Sequence, residues 1–500
     1  MTLPGAPQER VPHPRRAFVF AVRVGLAAAI AAVSGCKPVG PNYQRPTFDA
    51  PSAYKEVPPP PNGGSWQSAA PSDGILKGKW WEVFNDPQLN QLEERIGTVN
   101  QSLHSALESY LAARDQVRIA RAAYSPTLSA NASASRDKVS YNRPLNSIQH
   151  TEYRDFVVDG QANWEPDFWG QIRRTVEGAK AAAQASNASM ANVALSLQSE
   201  LAEDYFNLRG LDLQKQLLDQ NIRDLTDQLD LTTRRRKGGI GTDADVALAQ
   251  TQLDTTKAQL IDIGIARAEY EHAIGTIAEY KLAEFAIAPA PLSLAPDKTP
   301  PQIPVGLPSQ LLERRPDIAQ AERQAAQANA QIGVAVAAFY PNINLSGSGG
   351  YESAHASTWF DGPSALWSLG AQASELLIDG GKRRATTRQA RDQFEASAAN
   401  YKNTVFLAFN EVEDKLSDLR ILQEEETAQR IAVEDAQHSL EISNRRYKGG
   451  ATDYLEVLTA EATLIQNERT EATLRSRRYA SSVELIRSLG GGWDVTQIPR

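Results

Sequence analysis

The apolar residues of this chain recur with two different periods, and long segments keep one period throughout. In segment 382–448, the apolar positions Val405, Phe409, Val412 and Leu416 are spaced four, three and four apart. This spacing is typical of a helix that packs lengthwise against other helices. Because the segment contains neither Pro nor Gly, the pattern predicts one uninterrupted helix of roughly 100 Å.

A second segment of equal length, 171–237, repeats this pattern at Leu218, Ile222 and Leu225. Each segment begins near an Arg-Arg pair, ends in a Gly-Gly pair and is followed by a Thr-Asp pair. The chain therefore looks like a duplication with a period of about 210 residues, far longer than a solenoid repeat.

Shorter helices are predicted around the two long ones. Helical patterns cover residues 86–124 and the segment that runs from 311 to about 339. A return helix is predicted over 453–489. Its predicted apolar face consists of Leu455, Leu458, Ala462 and Ile465.

Four segments alternate apolar with polar residues, which predicts strands with one apolar face each. They are residues 127–135, 156–164, 342–351 and 365–374. Each has about the 9–11 residues that cross a bilayer when tilted. The alternative is a half-buried sheet in a soluble protein, but small residues dominate these faces and aromatic residues occur at Trp164, Tyr351 and Trp367.

A single-chain outer-membrane barrel needs at least about eight strands, and an open sheet edge is not tolerated in lipid. Four strands in one chain must therefore be completed by other copies. This deduction predicts an oligomer without reference to any known family.

The N-terminal segment predicts where in the cell the protein is located. Arg15 and Arg16 precede an apolar run that ends at Ser34-Gly35-Cys36. This resembles a bacterial lipoprotein signal peptide, in which small residues before a Cys mark cleavage and lipid attachment. Cys36 is the only cysteine, so it cannot form an internal disulfide. The alternative is a plain secretory leader with an incidental Cys. Lys37 follows Cys36, whereas Asp at that place would resemble an inner-membrane retention signal, so the predicted location is the outer membrane.

Composition excludes several classes of function. The formal net charge is −8, which disfavours nucleic acid as a partner. The 6 His residues form no spaced pair of the metal-ligand type. Gly380-Gly381-Lys382 lacks the first Gly and the Ser or Thr of a phosphate loop. We therefore predict no enzyme and no cofactor other than covalent lipid on Cys36.

Several motifs resemble one family. Arg314-Arg315-Pro316-Asp317-Ile318 opens a stretch that ends in Phe339-Tyr340-Pro341, and the chain closes with Gly490-Gly491-Gly492-Trp493. With Trp80-Trp81 and the segment 164–170, these motifs are similar to those of the TolC/OprM/NodT outer-membrane efflux family, in its lipoprotein branch. The match covers nearly the whole chain beyond Cys36.

The resemblance implies a mainly α fold with a transmembrane β-barrel. Each chain would supply duplicated long antiparallel helical hairpins and four strands, and a homotrimer would complete a 12-stranded barrel and a helical tunnel. It also implies a duct in the outer membrane of a Gram-negative bacterium, with its helices in the periplasm. Implied partners are a periplasmic adaptor, an inner-membrane transporter of the RND type and outer-membrane lipid.

The resemblance places the functional sites at two helix-turn-helix tips. The implied gate residues are Asp245, Tyr447, Asp453 and Glu456. The implied adaptor-docking residues are Gly238, Gly239, Thr242, Gly449, Gly450 and Thr452. This chain carries Thr452 where TolC-like tips carry Arg, and Thr459 where they carry a second acid, so the resemblance does not extend to an Arg latch or to a double acid ring. The glycines also read as helix C-caps, with Thr or Asp as N-caps.

The resulting organisation is a signal peptide, a Pro-rich tether, two repeats joined by a Pro-rich link, and a short tail. The predicted bounds are 1–35, 36–78, 79–285, 286–310, 311–489 and 490–500. Two alternatives remain for function, namely a lipid-anchored coiled-coil scaffold without a pore, and a type I protein-secretion duct.

Overall fold

The computed structural model describes residues 37–51, 53–56, 78–140, 152–305 and 311–499. The predicted signal peptide, Cys36 and residues 57–77 of the predicted tether lie outside the described residues. Among the helices that the structure describes, none is both long enough and apolar enough to cross a membrane.

Helices and strands follow one another in the order that the two periods predict. They are α1 (Pro87–Val99), α2 (Gln101–Ala122), β1 (Thr127–Lys138), β2 (Glu152–Trp164), α3 (Gln171–Lys237), α4 (Asp243–Ile277), α5 (Leu311–Arg314), α6 (Pro316–Ala337), β3 (Asn342–Ser353), β4 (Ala365–Ser374), α7 (Lys382–Lys448) and α8 (Tyr454–Ser488). A short 3₁₀ helix, Trp80–Phe84, precedes α1.

Equal helix lengths extend the evidence for duplication. Helices α3 and α7 have 67 residues each, and their predicted bounds are confirmed at both ends. The return helices α4 and α8 have 35 residues each. Helices α2 and α6, which lead into the strands, have 22 residues each. Each repeat is therefore built from the same series of elements.

The helical pattern predicted over 86–124 is confirmed, but it forms two helices, α1 and α2, because the helix is interrupted at Asn100. This residue has an extended backbone, with φ −65° and ψ 120°. Its side-chain amide donates to the carbonyl of Ile277 at 2.8 Å, and its side-chain oxygen accepts from the backbone N–H of Leu103 at 3.0 Å. Asn100 thus caps α2 while it ties the break to the end of α4.

The four strands form one antiparallel sheet in the order β1-β2-β3-β4. Each repeat supplies one hairpin, and β2 joins β3 where Gly160 lies opposite Gly349. The outer edges of β1 and β4 have no strand beside them among the described residues. All four predicted strands are confirmed.

Strand register brings the four predicted apolar faces onto one side of the sheet. Leu128 lies opposite Ala162, Ala162 opposite Gly347, and Gly347 opposite Leu369. Large side chains on this face are open to the surroundings, since Leu128 is 84% exposed and Trp367 is 78% exposed. An apolar face of this extent is typical of a sheet that contacts another apolar phase.

The chain divides into two compact units. Of the described residues, the first comprises those within 37–45, 112–183 and 323–399, and contains the sheet. The second comprises residues 46–111, 184–322 and 400–500, and contains most of the large buried clusters.

Within the second unit, the predicted apolar positions of the long helices are buried or partly buried. Val405 and Val412 are 0% exposed and pack with Tyr401. Leu218 and Leu225 pack in another cluster with residues of α4 and α8. The period of the apolar residues therefore predicts correctly which face of each long helix packs against other helices.

The predicted apolar face of α8 is correct in part: Ile465 is 5% exposed and Leu458 packs against the cluster that contains Tyr454, but at Leu455 the prediction is displaced from the buried face by one residue. Leu455 is 54% exposed, whereas Tyr454 and Val457 are 0% exposed. The buried positions continue at Glu461 and Leu464. An acidic residue on the buried face hides the true period, because sequence patterns score Glu as polar.

Candidate functional site

Two turns of matching backbone connect the long helices to their return helices. In the first tip, between α3 and α4, the N–H of Ile240 donates to the carbonyl of Arg235 at 3.0 Å. In the second tip, between α7 and α8, the N–H of Ala451 donates to the carbonyl of Arg446 at 2.9 Å. These are the bonds of the Schellman motif, which ends a helix at a residue with left-handed backbone.

Glycine supplies that left-handed residue in both tips. Gly239 has φ +75° and Gly450 has φ +73°, a region that other L residues enter only at a cost. A Cβ at either position would meet nothing within 4 Å. These two glycines are therefore required by backbone conformation and not by a lack of space.

The return helices begin at different N-caps. Thr242 and Asp245 form a capping box, in which the Thr242 hydroxyl accepts from Asp245 N–H and the Asp245 carboxylate accepts from Thr242 N–H. In the second tip Asp453, rather than Thr452, is the N-cap and accepts from Glu456 N–H. The carboxylate of Asp245 is thus engaged within its own turn.

Tyr447 and Tyr454 form the centre of the second tip. Their ring centroids lie 5.4 Å apart, and the two side chains are 3% and 0% exposed. The guanidinium of Arg235 lies 4.5 Å from the centroid of Tyr447 and donates to the carbonyl of Lys448 at 3.2 Å. Arg235 thereby joins the first tip to the second within one chain.

Glu456 does not present a bare carboxylate. It pairs with Arg446 at 2.6 Å and accepts a hydrogen bond from the Thr452 hydroxyl. Because a cation lies on it, its negative field is weaker than that of a free acid. Thr452 therefore contacts the predicted aperture acid directly, which the sequence did not reveal.

A further acid lies two turns beyond the tip. Glu461 is 5% exposed, and no described group hydrogen-bonds to its Oε2. Burial, together with the charge of Asp224, raises the pKa of Glu461 to about 7. Sequence reasoning missed this residue; the signal was an acid at a position of the buried period that also contains Tyr454 and Val457.

A groove of about 550 Å³ runs between α7 and α8 beside the second tip. Small and polar side chains form most of its lining, which is Ala436, Ser439, Ser443, Asp453, Leu455, Glu456, Thr459, Ala460 and Thr463. The groove brings two predicted gate residues, Asp453 and Glu456, onto one surface.

Comparison with known proteins assigns the family. The model of the outer membrane efflux protein family matches residues 97–277 and 307–491. The chain therefore belongs to the outer membrane efflux protein family. It is an outer-membrane channel protein of an efflux system and not an enzyme.

Particular relatives agree with this assignment. The outer membrane protein OprJ of Pseudomonas aeruginosa is 30% identical over 94% of this chain and 96% of its own length. The probable efflux pump outer membrane protein TtgC of Pseudomonas putida is 28% identical over 94% and 95%. Among solved structures, the outer-membrane channel OprN has a TM-score of 0.81 and 29% identity, with 91% of this chain and 99% of that chain covered.

Proposed function

We propose that three copies of this chain form the exit duct of a tripartite efflux pump. The observation that carries this proposal is the four-stranded sheet, whose apolar face is exposed at Leu128 and Trp367 and whose two outer edges have no neighbouring strand among the described residues. In lipid, the free N–H and C=O groups along β1 and β4 need partners, and pairing β4 of one copy with β1 of the next supplies them. Three copies give twelve strands, an even number within the range of known barrels.

The tips are the proposed contact with a periplasmic adaptor. Ile240 is 73% exposed at the first tip, and Leu455 is 54% exposed beside the groove of the second. Apolar side chains at an otherwise polar surface are suited to a protein partner. Gly238, Gly239, Gly449 and Gly450 shape the two turns, and Thr242 and Thr452 hold the residues that follow.

Gating is proposed for Asp245, Tyr447, Asp453 and Glu456. Tyr447 packs the two tips together, and Glu456 contributes a carboxylate whose charge Arg446 balances. Around a threefold axis each of these side chains would occur three times, so a small displacement of one tip changes three charges at once.

The pump is proposed to include an inner-membrane transporter of the RND type. Relatives are named for toluene efflux, pyoverdine export and cation efflux, so related ducts serve unlike cargo. We infer that this chain exports small toxic molecules that the inner-membrane partner selects. Lipid on Cys36 would add an anchor to the outer membrane, and no other cofactor is proposed.

The mass of the purified protein in detergent tests the duct. We expect a trimer by light scattering corrected for bound detergent, and the same trimer for Cys36→Ala, because the apolar sheet supplies most of the anchoring. A folded monomer would contradict the trimer. Release of Cys36→Ala into the soluble periplasm would contradict a sheet that spans the membrane.

A further inference from the structure

The charged residues of the sheet are divided between its two faces. Alternate residues of a strand point to the same face, so the register assigns every strand residue to one side. The apolar face that contains Leu128 also carries all three basic residues of the described strands, which are Arg136, Lys138 and Arg154. The polar face carries four of the five acids of the same strands, which are Asp137, Asp155, Asp159 and Glu352.

The three bases lie together at the end of the sheet that is remote from the helices. Helix α2 leads into Thr127 and helix α3 follows Trp164, whereas Lys138 lies opposite Glu152 at the other end of the first hairpin. The helices of this outer-membrane protein lie in the periplasm. In the proposed duct, the end that carries the bases therefore lies in the outer leaflet.

The depth of the bases corresponds to the level of lipid headgroups. The strand from Trp164 to Arg154 covers about 26 Å along the membrane normal, at about 3.4 Å per residue and a tilt of about 40°. The apolar band of a barrel is about 25 Å tall and is flanked by aromatic residues. Trp164 and Phe156 are such residues on the apolar face of β2, and Arg154 is the next residue on this face beyond Phe156.

Positive charge is in excess at this end of the apolar face. Glu152 pairs with Arg136 at 3.0 Å and with Lys138 at 3.7 Å, whereas no carboxylate of the described residues pairs with Arg154. Arg154 lies directly opposite Arg136. Like charges directly opposite each other on two strands are destabilising, so an anion between the two guanidinium groups would stabilise the hairpin.

The surroundings of the bases are apolar on the side toward the membrane interior. Ala134 and Phe156 lie opposite each other one step below the arginine pair. The ring of Phe156 lies 5.4 Å from that of Trp359, and Phe360 beside it is 67% exposed. A ligand at this place meets cationic groups at one end and apolar groups at the other, which suits an anionic amphiphile better than a soluble anion.

We propose that Arg136, Lys138 and Arg154 bind the phosphate groups of a lipid in the outer leaflet, with its acyl chains along Ala134 and Phe156. Arginine is suited to this role because its planar guanidinium donates two parallel hydrogen bonds to a phosphate. The site rests on the proposed function, since only a sheet that spans the membrane brings lipid to this face. A trimer would carry three such sites around the outside of its barrel.

Binding of defined lipids to the detergent-purified protein tests the site. The probe is lipid A that carries both phosphates, and the reference is the same lipid without phosphate. Arg136→Gln combined with Arg154→Gln should weaken binding of the phosphorylated lipid at least tenfold and leave the reference unchanged, because only charge is removed. Lys138→Gln alone should weaken it about threefold. Equal affinity of the wild type for the two lipids would overturn the proposal.

The matched control removes two positive charges elsewhere. Lys215 on α3 and Lys257 on α4 have side chains that are 47% and 49% exposed, similar to the surface positions of the sheet. Lys215→Gln combined with Lys257→Gln should bind the phosphorylated lipid as the wild type does. Equal weakening in the two double variants would attribute binding to net charge and would contradict a site at the arginine pair.

Inorganic phosphate distinguishes a lipid from a free anion. It should bind at least a hundredfold more weakly than the phosphorylated lipid, because it has no acyl chains to contact Ala134 and Phe156. Equal affinity for inorganic phosphate would assign the bases to a soluble anion and overturn the lipid.

Stability of the assembled protein provides a second measurement. A ligand stabilises the state that it binds, so saturating phosphorylated lipid should raise the dissociation temperature of the wild-type trimer by a few degrees. The double arginine variant should show no such rise, and equal rises in both proteins would contradict the site. Light scattering separates the two proposals. A trimeric wild type that does not prefer the phosphorylated lipid overturns the lipid site alone, whereas a monomeric wild type removes the proposed duct as well.

Discussion

The two tips share a backbone and differ in what holds them. Arg236 and Tyr447 are each the second-last residue of a long helix, and Asp243 and Tyr454 each begin a return helix. In the first tip this pair is an exposed ion pair at 2.6 Å, whereas in the second it is a buried aromatic pair. One structural position thus carries a surface contact in one repeat and a small core in the other.

The two tips therefore share a backbone shape but differ in rigidity. Left-handed glycines and N-caps give both turns the same form. An exposed ion pair contributes about 0–1 kcal/mol, while a buried aromatic ring contributes several times that. We infer that the first tip opens more readily than the second, in agreement with the 73% exposure of Ile240 at its apex.

The largest effect is expected for Tyr454→Ala. Removing a ring that is 0% exposed leaves a cavity, and we expect a loss of about 3–5 kcal/mol in the free energy of local opening. Hydrogen exchange of amides 447–457 in the purified protein measures it. Asp243→Ala should cost less than about 1 kcal/mol at the first tip. Similar losses in both variants would show that the aromatic pair does not set the difference.

The second effect concerns Glu461, whose equivalent in α4 is Gln250. The pKa of Glu461 is raised to about 7 in the folded protein, above its ordinary value near 4.5. Between these values the unfolded chain loses the proton first, so stability should fall as pH rises from about 4.5 to about 7 and then level off. The total change is on the order of 3 kcal/mol.

Glu461→Gln makes the second hairpin resemble the first and should remove most of this pH dependence. Denaturant unfolding or local hydrogen exchange across pH 4–8 measures this pH dependence of stability. Asp224→Asn is the control and should lower the pKa of Glu461 only in part. Other titratable groups act on this region, including Tyr454 and Glu468. An unchanged pH profile in Glu461→Gln would exclude Glu461 as its source.

The third effect tests the shared backbone. Gly239→Val and Gly450→Val should each cost about 1–2 kcal/mol of local stability, because a left-handed backbone disfavours residues with a Cβ. We expect efflux to fail in both variants while the assembled protein persists in the outer membrane. Gly264→Ala, in open space within α4, is the control and should retain efflux. Normal efflux in both Val variants would argue against a role of the tips in docking or gating.

The smallest effect, a change in cation selectivity, is expected when the charge of Glu456 or of its partner Arg446 is removed. In planar bilayers, Glu456→Gln should lower cation selectivity modestly, since Arg446 already offsets the charge. Arg446→Gln should raise cation selectivity by exposing the carboxylate. Asp453→Asn should change selectivity less, because Asp453 caps α8. No change in either the Glu456 or the Arg446 variant would place this pair away from the aperture.

Much of the local structure could be predicted because it depends on short-range rules. The apolar period predicted α3 and α7, the Arg-Arg and Gly-Gly pairs predicted their ends, and alternation predicted four strands. Gly239 and Gly450 could be recognised as C-caps, since only a residue without Cβ enters the left-handed region freely. None of these features requires knowledge of what lies across the fold.

The sequence by itself therefore determined the elements, their duplication, the turns and the family. Tertiary structure alone decided the break at Asn100, because the carbonyl that Asn100 meets belongs to Ile277, far along the chain. It also decided the buried face of α8, where Glu461 occupies a position that a period of apolar residues cannot reveal. The fourth residues of α3 and α7 differ for the same reason, since Arg174 is 2% exposed whereas Ala385 is exposed. Burial depends on which surface packs against a side chain, and no local pattern records that partner.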